Sequence, residues 1–230
     1  MIAQAREALP DLPSQRTVAG VNWAEAFALA PDEPQWVIPG LIEAGSNVSF
    51  VGGAKVGKSL FAQEMVAARS AGRPFLGDEA PAGVTMYLDY ENRPDAVVGR
   101  FRTMGFSRSE LVDLRYFTSP AIPPLDGAEG GRWVSETSAS LGADLVVVDT
   151  LQRVITGDEE SSTGIRNFYR HTVGPLRSQG IAVLRLDHLG KDVFRGARGS
   201  SAKRDDVDVE YRLSSKNGLL VLSPDAPLSI

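Results

Sequence analysis

The 230-residue chain has no cysteine, which removes disulfides, thiolate chemistry and Cys-ligated zinc. Its two histidines are too few for a His-rich metal site. No apolar run approaches the length of a membrane span, and the opening residues MIAQAREALPDLP lack a signal-peptide core. A soluble protein with no membrane partner is therefore expected. An excess of basic charge is lacking too. With 24 Lys+Arg against 29 Asp+Glu the net charge is −5, which excludes a cation-coated protein but not a local basic patch. There are no internal repeats and no low-complexity tract. What remains, 43% hydrophobic over this length, suits one α/β domain with a short extension.

The chain is organised around NVSFVGGAKVGKSL, Asn47 to Leu60. An apolar β-run leads into a Gly-rich turn and the start of a helix. Gly52, Gly57, Lys58 and Ser59 fit G-x-x-x-x-G-K-[ST], the phosphate-binding P-loop. Glycine lets backbone amides approach phosphate oxygens closely, and the helix aims its dipole at the anion. The segment Gly52, Gly53, Ala54, Lys55, Val56, Gly57, Lys58, Ser59 and Leu60 is thus the expected nucleotide cradle. Lys58 would reach the β- and γ-phosphates of ATP, and the Ser59 hydroxyl would ligate Mg²⁺. Lys55 adds positive charge near the phosphates or is merely exposed.

Upstream, residues 1–35 read as a lead-in broken by Pro10 and Pro13, with a short helix over Val21–Ala30 and Asn22 as its N-cap. Pro34 and Pro39 predict a stiff extended segment containing Trp36. Downstream, helical spacing over Ser59–Ala71 predicts a buried face of Leu60, Met65, Val66 and Ala67. Strands are expected over Val84–Tyr90, Leu111–Phe117, Ala143–Thr150 and Ile181–Leu186, with helices from Pro94 to about Met104, over Arg132–Leu141 and over Ile165–Gln179. Ser119–Gly131, rich in Pro and Gly, reads as a loop. Val207–Leu213 and Leu219–Leu222 form a hairpin across Lys216-Asn217-Gly218.

Alternating strands and helices imply a parallel sheet covered on both faces, with ligands at the C-terminal strand ends. Four strands end there in polar groups: the P-loop, Glu91, Asp149, and Asp187-His188. Asp149 follows four apolar residues, as a Walker B carboxylate that holds the magnesium shell. Thr150 follows it, so no second acid stands there and the base for water must come from elsewhere. Glu91 is preferred over Asp89, which could instead cap the next helix. His188 is either a γ-phosphate sensor or a surface histidine beside a turn. Between Gly190 and Arg204 lie Lys191, Arg195, Arg198, Lys203 and Arg204 against the single acid Asp192, the one strongly basic run in an acidic chain.

From Trp36 to Leu222, the order WVIPGLIEAGSNVSFVGGAKVGKSL, VTMYLDYEN, LVVVDTLQRV, LDHLGKD and RGARGSSAKRDDVDVEYRL resembles the RecA-type ATPases of the RepA-like branch. That branch includes hexameric replicative helicases of plasmids and many phage ATPases. The resemblance implies a RecA-like P-loop core over 36–230: a mostly parallel sheet with helices on both faces and a C-terminal antiparallel hairpin. It also implies ATP held between neighbouring subunits of a homo-oligomer, a ring of six, with single-stranded or forked DNA in the channel, in the cytoplasm of a bacterial or phage-infected cell. Lys58, Ser59, Glu91, Asp149 and His188 fall on its motifs. The chain departs where the family often has a His pair and this sequence has Asp187-His188. It departs again at the arginine finger, for which Arg198, Arg204 and Arg212 are the candidates.

The leading expectation is a DNA-dependent ATPase motor of phage or plasmid replication or recombination. Lys191, Arg195, Arg198, Lys203 and Arg204 would then contact DNA phosphates, with Phe194 free to stack on a base. The alternatives are an ATP-dependent loader acting through protein partners, an ATP-dependent nuclease component, and a nucleotide kinase using the arginines as a lid.

Overall fold

The computed structural model describes residues 20–31, 33–156, 162–188 and 206–224. The chain divides into two compact units, residues 1–34 and 35–230. In the first, helix α1 (Trp23–Leu29) starts at Asn22, whose side-chain oxygen accepts from the Glu25 amide at 3.4 Å. That is the N-cap expected of this residue.

The second unit opens with strands β1 (Trp36–Ile38) and β2 (Ile42–Glu43), paired antiparallel. The expected stiff extended segment is thus a hairpin. Pro39 and Gly40 occupy the two central positions of its turn, Gly40 at φ 68°, closed by Leu41 N–H to the Ile38 carbonyl at 3.0 Å. Proline presets the first turn position and glycine supplies the positive φ of the second.

Strands and helices then alternate: β3 (Asn47–Gly52), α2 (Lys58–Ser70), β4 (Val84–Asp89), α3 (Pro94–Thr103), β5 (Leu114–Thr118), α4 (Ala128–Leu141) and β6 (Ala143–Asp149). They continue through α5 (Ser162–Phe168), a π-helical turn (Tyr169–Val173), α6 (Gly174–Arg177), β7 (Ala182–His188), β8 (Val209–Lys216) and β9 (Leu219–Pro224). One seven-stranded sheet results, in the order β5-β4-β6-β7-β3-β8-β9, parallel except for β9. This is a RecA-like P-loop core with a C-terminal antiparallel hairpin. The hairpin turns through Asn217 and Gly218, at φ 52° and 78°, the pair of positive values that a two-residue turn requires. Among the described residues no helix is long and apolar enough to cross a membrane.

Side-chain alternation along the central strands builds two cores. Phe50, Tyr87, Leu145, Val147, Leu184 and Leu186 face α2 and α3. Met86, Leu88, Val146, Val148 and Val183 face α4, α5 and α6. Both faces of β4, β6 and β7 are therefore covered, which is why these strands read as continuous apolar runs.

Three elements differ from expectation. Leu60 is 45% exposed, whereas Ala62, Met65, Val66 and Ala67 are fully buried; Leu60 lies off the core-facing stripe of α2. α4 begins at Ala128 and runs through Gly130 and Gly131. These glycines serve packing rather than a loop: a Cβ on Gly131 would lie 1.9 Å from the His171 carbonyl oxygen, and one on Gly130 2.2 Å from that of Pro124. Finally, the expected single helix over Ile165–Gln179 carries the π turn, with Gly174 N–H bonded to the Tyr169 carbonyl. Pro175 has no N–H to return to His171, so the ladder widens just before it.

The contrast between two helical glycines is testable. Gly131→Ala is expected to lower stability by at least about 1–3 kcal/mol, the usual cost of overpacking against a partner that does not yield. Gly99→Ala in α3, where a Cβ meets nothing within 4 Å among the described residues, is expected to raise it by about 0.5–1 kcal/mol. Urea midpoints of the two variants and the parent check both signs.

Candidate nucleotide site

The turn between β3 and α2 takes its shape from two glycines. Gly57 enters the helix at φ 107°, a conformation side chains resist. Gly52 is pressed against β8: a Cβ there would sit 2.8 Å from the Leu213 carbonyl oxygen and 2.9 Å from Val56 Cγ1. Lys55 also adopts a positive φ, 61°. The first turn of α2 follows directly, so its free amides open onto the same concavity.

Lys58 lies 5% exposed beneath this turn. Its Nζ donates to the carbonyls of Gly52 at 2.9 Å and Gly53 at 3.1 Å. Burial lowers its pKa, opposed by the negative charges of Glu91, Asp149 and Asp187. The strand register explains why those groups are near. Gly52 pairs with His188, and Asp89 with Asp149, so the C-terminal ends of β3, β7, β6 and β4 form one line.

Along that line the side chains connect. Lys58 Nζ is 3.3 Å from His188 Nδ1, and His188 Nε2 is 3.5 Å from Glu91 Oε1. Thr150 Oγ1 donates to the same carboxylate oxygen at 3.4 Å. His188 and Glu91 are each about one-third exposed, at 30% and 31%. They form the wet rim of the site, and Lys58 its dry floor.

Asp149 is fully buried at the end of β6, and its peptide bond to Thr150 is cis. Its Oδ2 accepts from the Tyr87 hydroxyl at 2.9 Å, while Oδ1 has no hydrogen-bond partner among the described residues. Burial pushes its pKa up to about 6. The Ser59 and Tyr87 hydroxyls, which favour the charged form, oppose that rise. A buried carboxylate oxygen left without a donor beside a serine hydroxyl is a donor set suited to a hard, oxygen-seeking divalent cation such as Mg²⁺.

Asp89, the rival of Glu91, is also fully buried. Its Oδ1 accepts from the Glu91 amide at 2.8 Å and the Asn92 amide at 2.9 Å, and the Asn92 side chain bonds both oxygens. It holds the turn that follows β4; α3 begins later, after Arg93. Asp89 thus has its acceptor capacity committed to the turn and to neighbouring side chains, whereas Glu91 projects to the rim.

Lys191, Arg195, Arg198, Lys203 and Arg204, as well as Phe194, lie outside the described residues. Arg212, a candidate finger, lies within β8, paired with Val51 of β3. Tyr87 and Thr150 escaped the sequence reading. Tyr87 shares a strand face with Asp89 by the two-residue period, but only the pairing of β4 with β6 reveals its bond to Asp149. Thr150 stood in the sequence simply where a second acid was absent.

A family model described as AAA domain matches residues 12–193, more than half of the chain. The protein belongs to this family, and it is an ATPase of the general P-loop kind. No curated protein matches it significantly.

The buried Asp149 has a measurable cost. A carboxylate whose pKa is raised in the fold destabilises the protein above that pKa, and the penalty disappears once it is protonated in both states. A rise from 3.8 to about 6 corresponds to on the order of 3 kcal/mol at neutral pH. Asp149→Asn keeps an acceptor for Tyr87 and is expected to raise the melting temperature at pH 7.5, the gain shrinking as pH falls from 6 towards 4. Thermal scans across that range check it.

Proposed function

We propose, from this membership and this geometry, that the chain hydrolyses ATP to drive work on DNA, as a motor of the RepA-like branch. The observation that carries the hydrolytic part is the continuous chain Lys58–His188–Glu91–Thr150, from the start of α2 across the ends of β7, β4 and β6. It links the group that would hold the β- and γ-phosphates to the carboxylate that would take a proton from water. Glu91 orients the water as its oxygen attacks the γ-phosphorus and accepts the proton, while the bond to the β–γ bridging oxygen breaks and ADP leaves. The amides of Gly52–Leu60 cradle the phosphates, and Lys58 turns its Nζ from the Gly52 and Gly53 carbonyls towards them. Ser59 and Asp149 fit Mg²⁺, which when bound neutralises phosphate charge. His188, between Lys58 and Glu91, is placed to register whether the γ-phosphate is present.

The DNA part rests on the cationic run that follows β7 in sequence. Lys191, Arg195, Arg198, Lys203 and Arg204 come directly after the strand end that carries His188. A shift at His188 on loss of the γ-phosphate is thereby passed to DNA contacts in the next residues, in a homo-oligomer of ring type.

Lys58→Ala is expected to abolish turnover and weaken ATP binding. Glu91→Gln is expected to keep ATP binding and cut turnover by about 10²–10⁴-fold. Steady-state phosphate release with a nucleotide-binding titration measures both; normal hydrolysis by either variant refutes the site. Single-stranded DNA is expected to stimulate turnover. Replacing Arg195, Arg198, Lys203 and Arg204 by Ala is expected to flatten the slope of log affinity against log salt, by up to about 0.7 per lost phosphate contact. Anisotropy titrations read that slope. Intact turnover with no response to DNA would favour the loader alternative.

A further inference from the structure

A second set of hydrogen bonds runs beneath the site, between the P-loop helix and the turn that bears Glu91. Gln63 is one turn into α2 beyond Lys58 and Ser59, and it is fully buried. Its Nε2 donates to the Tyr116 hydroxyl at 2.8 Å, and its Oε1 accepts from Arg100 Nη1 of α3 at 3.2 Å. Tyr116, on β5, donates in turn to Asp89 Oδ2 at 2.5 Å. Asp89 then accepts the Glu91 and Asn92 amides. Every donor in the series points towards Asp89. Burial and the bond to Asp89 push the Tyr116 pKa well above its ordinary value, so the phenol remains a donor.

Tyr116 also stacks on Tyr87, ring centroids 4.5 Å apart and planes 11° from parallel. Two stacked phenols therefore serve two carboxylates, Tyr87 that of Asp149 and Tyr116 that of Asp89. Apolar side chains at 63 and 116 could fill this layer, but they would take a donor from buried Asp89 and an acceptor from Arg100. Buried polar groups joined end to end fix one geometry where apolar ones would permit several.

We propose that Gln63 and Tyr116 are positioning residues for Glu91. They tie the helix that receives the phosphates to the turn that presents the carboxylate, so that seating of a nucleotide on α2 sets Glu91 for attack. The inference rests on the assignment of Glu91 above and goes beyond it in assigning the control of that residue to α2.

The test measures kcat and KM for ATP, nucleotide affinity and melting temperature in the full chain, for the wild type, Glu91→Gln, Tyr116→Phe, Gln63→Met and Arg100→Met. Tyr116→Phe keeps the stack and loses only the hydroxyl. It and Gln63→Met are expected to lower kcat by about ten- to a hundredfold, the scale of a misplaced catalytic group, with affinity changed less than about twofold. Arg100→Met, half-buried at the far end, is expected to act in the same direction but less; it carries the test if a buried variant fails to fold. Gln63→Glu, which keeps an acceptor for Arg100 but offers Tyr116 no amide donor, is expected to resemble Gln63→Met. Unchanged kcat in the folded variants while Glu91→Gln is inactive would overturn this inference alone. Parallel loss of kcat, affinity and melting temperature would overturn it too, by showing only a packing role. A wild type that does not hydrolyse ATP, or an active Glu91→Gln, would overturn both the assignment of Glu91 and this inference.

Discussion

The parallel pairing of β4, β6, β7 and β3 is the constraint on which the rest depends. Parallel strands end at the same edge, and here Asp89 opposes Asp149 while Gly52 opposes His188. Groups 59 to 130 residues apart in the chain therefore meet within hydrogen-bonding distance of Lys58 or of one another. The connections that make this possible pass over both faces of the sheet, so both faces must be apolar and covered. The two cores and the site at their common edge are consequences of one topology.

That edge is expensive. Lys58, Asp89, Asp149 and Asp187 are all nearly or wholly buried. Most of the charge is compensated. Asp89 has four donors, and Asp187 has Arg185 at 3.0 Å and Ser49 at 3.1 Å. Lys58 rests on two carbonyls. Asp149 is the exception, with one oxygen served by Tyr87 and the other by no hydrogen bond among the described residues. Groups that hold the scaffold are satisfied within the protein, and the group left over faces the place where a cation would complete it. Such residual cost at a site is a common mark of binding function.

The same division separates Asp89 from Glu91. Both are acidic and lie two residues apart at the end of one strand. Asp89 is enclosed by amides and a phenol, which spend its lone pairs on structure. Among the described residues the Glu91 carboxylate meets only His188 and Thr150, at 3.5 and 3.4 Å, and it lies about one-third exposed. Their roles differ through surroundings rather than residue type.

Much of this was present in the sequence, because the determinants are local. The P-loop spacing, the apolar run before Asp149 and the Asn217-Gly218 turn depend on neighbouring residues and on the backbone conformations these allow. So do the alternation of strand and helix and the polar strand ends. Other features needed the tertiary structure. The glycines at 130 and 131 read as loop, since the backbone of Pro124 and of His171 that they accommodate is distant in sequence or hidden in the fold. Leu60 matches a buried stripe by spacing, yet it lies off the core-facing side of α2 and lines an open cleft beside Ala96, Gly99 and Thr103 of α3. The links from Gln63 to Tyr116, from Tyr116 to Asp89 and from Tyr87 to Asp149 follow from strand order and side-chain direction. A hydrogen bond between distant residues has no signature in either partner's neighbours; only the packing of the sheet decided them.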